Sequence, residues 1–164
     1  MHRFLHFNAG PARLVGAGVM AALLFLAADA PKLKKIIVGN WETVSVRIEL
    51  TSITDPTAPS VIEATPDTWA DKMRMKPPRS KYLADGSFSS AYIDLSGQVI
   101  KEVKGRYKVE GEGLTLTSDD KHYDGLQYRC RVISQDTFQY TTNIDFDNDG
   151  ERDDKLTGIA RRIP

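Results

Sequence analysis

The chain has 164 residues and balances 22 lysines and arginines against 22 aspartates and glutamates, with a sequence pI near 6.8. This balance provides no global field that would recruit nucleic acid or an anionic membrane surface, so nucleic-acid binding is not expected. Hydrophobic residues make up 41% of the chain and charged residues 27%. These fractions exclude a fully disordered chain and a polytopic membrane protein, and they predict one folded domain.

Residues 1–30 differ in character from the rest of the chain. Two arginines precede an uncharged run over residues 14–28, which is followed by Asp-Ala. A basic start, a short apolar run and a small-residue Ala-x-Ala site predict an export signal, and about 15 residues are few for a membrane-spanning helix. Pro31 disfavours cleavage after residue 30, so an uncleaved signal anchor is the alternative. We therefore expect an exported domain over residues 31–164, periplasmic or secreted, which is either released or anchored in the membrane through residues 14–28.

Beyond residue 30, apolar side chains recur at period two between turn residues, which is typical of β-strands. Short turns that contain glycine, aspartate or serine separate most of these strands and favour antiparallel hairpins. Eight strands joined in this way leave two exposed edges unless the sheet closes. We therefore predict an all-β, eight-stranded antiparallel up-and-down barrel, with strands over residues 37–50, 80–84, 87–94, 98–109, 114–118, 125–134, 137–144 and 154–162.

The same alternation assigns the two faces of the sheet. Basic side chains such as Lys104 and Arg106 are expected to face solvent, and the apolar positions between them are expected to face the interior. Cys130, the single cysteine, belongs to the apolar face and is interpreted as a buried hydrophobic residue, so no intrachain disulfide can form. Four inward tyrosines are predicted to line the barrel and contact a ligand: Tyr92, Tyr107, Tyr128 and Tyr140.

Residues 51–78 interrupt this pattern between the first two predicted strands. Five of the eight prolines lie here, and proline removes a backbone donor that strand pairing needs. Asp67 can cap a short helix that continues to about Met75, with Trp69 and Met73 four residues apart on one side. Long excursions of this kind are often functional lids. We predict that Trp69 and Met73 face the barrel mouth and contact a ligand; a loosely packed insertion is the alternative.

Gly39-Asn40-Trp41 opens the first predicted strand, and Arg161-Arg162 ends the last one. Together with the hairpin meander, this arrangement resembles the lipocalin-like barrels of the calycin group, above all the small exported bacterial lipocalin-like proteins. The resemblance implies a barrel that holds a small ligand. It also implies that Trp41 lies at the closed base and that Arg161 or Arg162 packs across its ring through a cation–π contact. The roles of Gly39, Trp41 and the two arginines are then structural.

An acidic loop lies between the last two predicted strands. Acidic residues occupy positions 1, 3, 5 and 9 of residues 145–153, with glycine at position 6. Carboxylate oxygens at this spacing converge on a hard cation, and the glycine permits a sharp turn. The pattern is similar to the D-x-D-x-D-G-x-x-D calcium hairpins of β-propeller repeats, in which position 7 contributes its backbone carbonyl. The resemblance implies a structural calcium ion, with a solvated acidic turn as the alternative; the candidate ligands are Asp145, Asp147, Asp149, Glu151 and Asp153.

Patterns that carry catalysis are missing from the sequence. His122 is the only histidine beyond residue 30, and no G-x-S-x-G, C-x-x-C or phosphate-binding glycine loop occurs. We predict no enzyme and interpret His122 as an exposed turn residue. The main hypothesis is an exported protein that binds a small apolar ligand. The alternative is an envelope protein whose barrel is filled by its own side chains and which binds another protein through its loops or charged wall; a hollow interior would distinguish the two.

Overall fold

The computed structural model describes residues 32–51 and 59–164. Strand β1 pairs with β9 on one edge and with β3 on the other, which closes eight antiparallel strands into a barrel. The predicted all-β barrel is confirmed. The predicted export segment lies outside the described residues, as does the stretch 52–58. The elements in chain order are α1 (Leu33–Ile36), β1 (Gly39–Glu49), β2 (Val61–Ala64), α2 (Trp69–Met73), β3 (Lys76–Tyr82), β4 (Ser87–Ile93), β5 (Val99–Glu110), β6 (Gly113–Ser118), β7 (Gln127–Ser134), β8 (Thr137–Ile144) and β9 (Asp154–Ile163).

Strand β2 is a ninth strand that the sequence analysis missed, because four residues are too few to establish a period. It pairs with residues 46–49 of β1, while β3 pairs with residues 39–42 on the same edge. Helix α2 connects the two, so the excursion covers one end of the barrel. We call this end the mouth; it also carries the β4–β5 turn, the β6–β7 loop and the β8–β9 loop. The opposite end, where β1 begins and β9 ends, is the base.

Strand β3 begins at Lys76, earlier than the predicted start at residue 80, and contains Pro77 and Pro78. On the β1 side, pairing covers only residues 79–82, and on the β4 side the register is irregular between Lys76 and Arg79. Both prolines therefore lie where no regular ladder hydrogen bond is required of them. Proline thus excludes regular pairing at these two positions, as the sequence indicates, although the strand itself extends to Lys76.

A β-bulge in β1 decides which of its side chains face inward. Strict alternation would direct Trp41 and Thr43 to the face opposite Val46 and Ile48. The β1–β9 register shifts between Thr43 and Ser45, which leaves one extra residue in β1. All four side chains consequently line the barrel interior.

The helices differ from the sequence prediction in number and in capping. Helix α1 was not predicted; it packs Leu33 and Ile36 into the same core cluster as Trp41. Helix α2 begins at Trp69 after an N-cap at Thr68 that makes no side-chain cap hydrogen bond, so the cap predicted at Asp67 was wrong. Among the described residues, neither helix has the length and apolar run that crossing a bilayer requires.

Candidate functional site

Trp41 closes the base of the barrel. Its side chain is 1% exposed, its indole N–H donates to the Ile37 carbonyl over 2.7 Å, and its ring meets Phe138 edge-on with centroids 4.7 Å apart. Gly39 has a φ of 138°, and a Cβ there would lie 2.2 Å from a guanidinium nitrogen of Arg162. Glycine at this position therefore allows the arginine to reach across the tryptophan.

Arg162, and not Arg161, makes the cation–π contact that the resemblance implies. Its guanidinium carbon lies 4.5 Å from the centroid of the Trp41 ring. The same group donates to two backbone carbonyls of residues 36–38, over 2.5 and 3.0 Å, and forms an ion pair with Asp136 at 3.2 Å. Arg161 is exposed on the neighbouring position of β9. The arginine thus connects three parts of the base.

Above this base the barrel is hollow. The cavity has a volume of about 670 Å³ and extends from Trp41 and Phe138 to α2 and the mouth loops. This volume lies within the range of small-molecule binding sites, roughly 300–1,000 Å³. Of the predicted ligand-contacting residues, five line the cavity: Trp69, Met73, Tyr92, Tyr128 and Tyr140. A hollow interior favours the ligand-binding interpretation over the barrel filled by its own side chains.

Tyr107 is the predicted ligand residue that does not line the cavity. Its hydroxyl donates to the Leu83 carbonyl over 2.8 Å, in the turn between β3 and β4 at the base. Its ring packs edge-on against Tyr82 with centroids 5.1 Å apart. Alternation placed Tyr107 on the correct face of its strand. It could not predict how far along the barrel axis Tyr107 lies, and this residue lies too close to the base to reach the cavity.

Helix α2 covers part of the mouth. Trp69 is 3% exposed and packs with Val46 and Ala64, against which Met73 and Leu156 also lie. The indole N–H of Trp69 is buried and makes no hydrogen bond within residues 32–51 and 59–164. Trp69 and Met73 therefore cover the cavity beside β2 and β3, the strands that α2 contacts.

Hydroxyl groups are distributed along the aromatic wall of the cavity. Six of these hydroxyls form three hydrogen-bonded pairs. The Tyr123 hydroxyl donates to that of Tyr92 over 2.5 Å, and the hydroxyl oxygens are 3.1 Å apart in Thr43 and Tyr140 and 2.8 Å apart in Ser80 and Ser90. The Tyr128 hydroxyl forms no hydrogen bond with any residue that the structure describes. Burial raises the pKa of Tyr92 and Tyr128 above the ordinary value and that of Tyr140 to about 12. The wall therefore presents neutral phenols at physiological pH.

Tyr123 is a cavity residue that the sequence analysis missed. The segment 119–124 is otherwise polar, and this lone aromatic side chain was the available signal. Lys101 lies 5.0 Å from the centroid of the Tyr123 ring and forms an ion pair with Asp120 at 2.8 Å. The hydrogen bond from Lys101 lowers the pKa of Asp120 below its ordinary value. His122 is exposed and contributes to the cavity rim.

The acidic loop brings three of its predicted ligands together. Asp145, Asp147 and Asp149 each offer a carboxylate oxygen, and these oxygens lie within 4.8 Å of one another, an arrangement that can hold a metal ion. Asp147 accepts from the Asp149 N–H over 3.2 Å, and Asp149 accepts from the Glu151 N–H over 2.8 Å. Glu151 is exposed, and neither its carboxylate nor that of Asp153 belongs to this group of three.

The three carboxylates repel one another. The backbone N–H of Asp149 lowers the pKa of Asp147, but desolvation and the charges of Asp149, Asp154 and Asp145 together raise it above its ordinary value. One carboxylate oxygen of Asp145 is buried without a hydrogen-bond partner among the described residues. A bound cation would offset both effects, since it supplies positive charge to oxygens that lack donors.

Asp154 is the fully buried carboxylate of this region, and the sequence analysis did not assign it a role. It accepts hydrogen bonds from the backbone N–H groups of Thr51 at 2.9 Å, Phe146 at 2.8 Å and Asp147 at 3.3 Å. These bonds join the segment after β1 to the acidic loop. The available signal was its alternation with Leu156, which makes it the first inward position of β9.

Arg152 connects the acidic loop to the rest of the mouth. Its guanidinium donates to the carbonyls of Lys121 and Asp124, over 2.6 and 3.1 Å, in the β6–β7 loop. Phe146 and Arg152 also line the cavity. The candidate metal loop and the candidate ligand cavity therefore share part of the mouth.

No family model and no curated protein matches this chain. Among solved structures, the chain is similar to a siderocalin, Ex-FABP, which is described as functioning through dual ligand specificities. The sequences are 13% identical, the superposition covers 77% of this chain and 74% of that one, and the TM-score is 0.45.

Proposed function

We propose that this protein is an exported, lipocalin-like binding protein that holds one small apolar ligand inside its barrel. The observation that carries the proposal is the cavity of about 670 Å³ between a closed base and a partly covered mouth. Aromatic and aliphatic side chains together make up most of its wall, and a few hydroxyl groups are placed among them. Small-molecule sites combine an apolar lining with a small number of polar groups that fix orientation.

The proposed role is binding without catalysis. The titratable groups that line the cavity are phenols kept neutral by burial, together with Lys101, His122 and a few charged groups at the mouth. Among the described residues, no nucleophile stands beside a general base in this wall, an arrangement that covalent catalysis requires. Export is proposed from the pattern of residues 1–30 alone, with the barrel released or anchored through residues 14–28.

The binding proposal is tested by filling the cavity. Leu116 lines the cavity and is buried, so Leu116→Trp adds bulk to the interior. Ile133 is 56% exposed on the outer wall, and Ile133→Trp serves as the matched control. With the apolar dye N-phenylnaphthylamine as the probe, we expect Leu116→Trp to weaken binding by about 10-fold or more and Ile133→Trp to leave it unchanged. Equal dye affinity in both variants, with both folded by circular dichroism, would contradict a ligand inside the barrel.

We also propose that the acidic loop binds calcium as a structural ion, through Asp145, Asp147, Asp149, the backbone carbonyl of Glu151 and Asp153. Support comes from the three oxygens within 4.8 Å and from the raised pKa of Asp147. With calcium near ~1 mM and a dissociation constant near ~0.1 mM, in the range of extracellular modules, linkage stabilises the fold by about 1.4 kcal/mol. The ion would hold the last hairpin at the mouth.

Thermal unfolding with calcium and with a chelator tests the metal proposal. We expect calcium to raise the Tm of the natural protein, and Asp149→Asn to abolish this rise because it removes one of the three carboxylate charges. Glu151→Gln is the control, since only the backbone of Glu151 is assigned to the ion. Absence of a calcium-dependent Tm shift and of calorimetric binding heat would exclude calcium here, leaving a solvated acidic turn.

A further inference from the structure

The hydroxyl groups of the cavity wall have more hydrogen atoms than they have partners. In a pair of hydroxyls two O–H hydrogens are available, and only one of them lies between the two oxygens. Tyr92 with Tyr123, and Thr43 with Tyr140, are two such pairs, and no other hydrogen bond of these hydroxyls to a described residue occurs. Each pair therefore keeps one O–H donor for the contents of the cavity.

Tyr128 adds a further donor. Its hydroxyl makes no hydrogen bond within the described part of the chain, and its ring lies edge-on to Tyr140 with centroids 5.8 Å apart. Tyr140 bonds to β1, whereas Tyr123, the partner of Tyr92, belongs to the mouth loop. The available donors are consequently distributed over the depth of the cavity and not confined to its rim.

A pure hydrocarbon does not satisfy such a wall. When it enters, it displaces water from the hydroxyls and offers no acceptor in exchange, so the O–H groups lose hydrogen bonds. Oxygen acceptors in the ligand restore them. The aromatic rings of the same wall favour flat, ring-containing molecules, because they offer faces and edges for stacked and T-shaped contacts.

We propose that the ligand is a ring-containing apolar molecule with at least two acceptor oxygens, of ketone, quinone or ether type, which receive hydrogen bonds from Tyr92, Tyr128 and the Thr43–Tyr140 pair. This inference rests on the proposed function and extends it by naming the chemical class of the ligand. A long-chain fatty acid and a plain hydrocarbon are the competing classes.

Anthraquinone and anthracene form a matched pair of probes, since they share three fused rings and differ by two carbonyl oxygens. Anthracene is the more hydrophobic of the two, so an apolar cavity without polar recognition would bind it more tightly. We expect the purified protein to bind anthraquinone about 10-fold more tightly than anthracene, measured by displacement of N-phenylnaphthylamine. Oleate, the fatty-acid probe, is expected to bind more weakly than anthraquinone.

Tyrosine-to-phenylalanine variants assign the preference to particular hydroxyls. Tyr128→Phe and Tyr92→Phe should each weaken anthraquinone binding by roughly 3- to 10-fold and leave anthracene binding unchanged. Tyr107→Phe is the matched control, because the Tyr107 hydroxyl donates to the Leu83 carbonyl outside the cavity. Circular dichroism and Tm establish that each variant is folded.

The outcomes separate this inference from the proposed function. Displacement of the dye by anthracene or oleate at least as effectively as by anthraquinone would overturn the acceptor-bearing class and leave small-ligand binding intact. An anthraquinone preference that survives in both Tyr128→Phe and Tyr92→Phe would overturn the hydroxyl assignment. If neither the dye nor any of the three probes binds, the inference and the proposed function both fail.

Discussion

The base and the mouth of the barrel are built from the same strands but differ in how they are held. At the base, Trp41 is fully buried and Arg162 bonds to backbone carbonyls and to Asp136. At the mouth, the regular β6–β7 ladder ends at Thr115 and Gln127, and only the backbone bonds of Leu116 with residues 125 and 126 continue it. Two to four residues join successive strands at the base, whereas the β4–β5, β6–β7 and β8–β9 connections at the mouth have five to nine residues. One end thus provides rigidity and the other provides access.

A single strand shows the same contrast. In β5, Val103 is 1% exposed within the core cluster, whereas Val99 and Ile100 near the mouth are 59% and 61% exposed. The register between β4 and β5 shifts at this point, so the hairpin tip extends beyond the packed interior. Burial, and with it the expected energetic weight of a residue, depends on its height in the barrel as well as on its face.

The largest loss of folding stability is expected at the mouth, and it therefore tests whether rigidity is confined to the base. Asp154→Ala removes the acceptor of three backbone N–H groups and should lower the free energy of unfolding by about 3–5 kcal/mol. Asp119→Ala, at an exposed aspartate of the neighbouring loop, should change it by less than about 0.5 kcal/mol. Denaturant unfolding measures both; similar values would mean that Asp154 does not hold the mouth together.

The next effect concerns the base. Arg162→Ala removes the contact with the Trp41 ring and two hydrogen bonds to backbone carbonyls, and should cost about 2–3 kcal/mol. Arg161→Ala is the adjacent control and should stay within about 0.5 kcal/mol, because Arg161 is exposed. Chemical denaturation of the two variants decides which arginine supports the fold. An equal loss in both would remove the structural distinction between these neighbours.

Alkaline pH should destabilise the cavity wall. Burial raises the pKa of Tyr140 from 10.0 to about 12, so the unfolded state releases its proton first as the pH rises. The stabilising contribution is therefore complete below pH 10 and is lost between pH 10 and 12, by on the order of 2 kcal/mol. Unfolding free energies measured across this window should fall less steeply in Tyr140→Phe. A variant with the same slope as the natural protein would exclude Tyr140 as a source of the decline.

The smallest change in stability is expected at the mouth end of β5, and it is compared with the change at a buried position of the same strand. Ile100→Ser, at a 61% exposed side chain of the mouth hairpin, should alter stability by less than about 0.5 kcal/mol. Val103→Ala, three residues closer to the base and 1% exposed, should cost about 1–3 kcal/mol. Thermal unfolding with matched protein concentration provides the measurement. A large loss of stability in Ile100→Ser would indicate that the exposed β4–β5 hairpin makes a packing contact beyond those of the described residues.

Local patterns predicted much of the fold. Turn residues and period-two alternation located the eight barrel strands and assigned Cys130 to the interior, where it is buried. The same local signals failed at β2 and α1, which have four residues each and are stabilised by packing. They also placed the start of β3 at residue 80 instead of Lys76, because the sequence does not reveal which backbone groups of this strand remain without a partner.

In the candidate site, too, features within one short segment were predicted from the sequence, and features that depend on pairing between strands were not. The sequence alone predicted the acidic loop and the inward tyrosines, since each depends on spacing within one short segment, whereas the place of Trp41 at the base followed from the resemblance. The bulge in β1, the role of Asp154 and the hollow interior depend on registers between strands that are distant in the chain. Gly158 illustrates the reason: a Cβ there would lie 2.3 Å from the Tyr140 ring, a contact between two strands. Cavity volume is set by many such approaches at once, so it emerges only when the barrel closes.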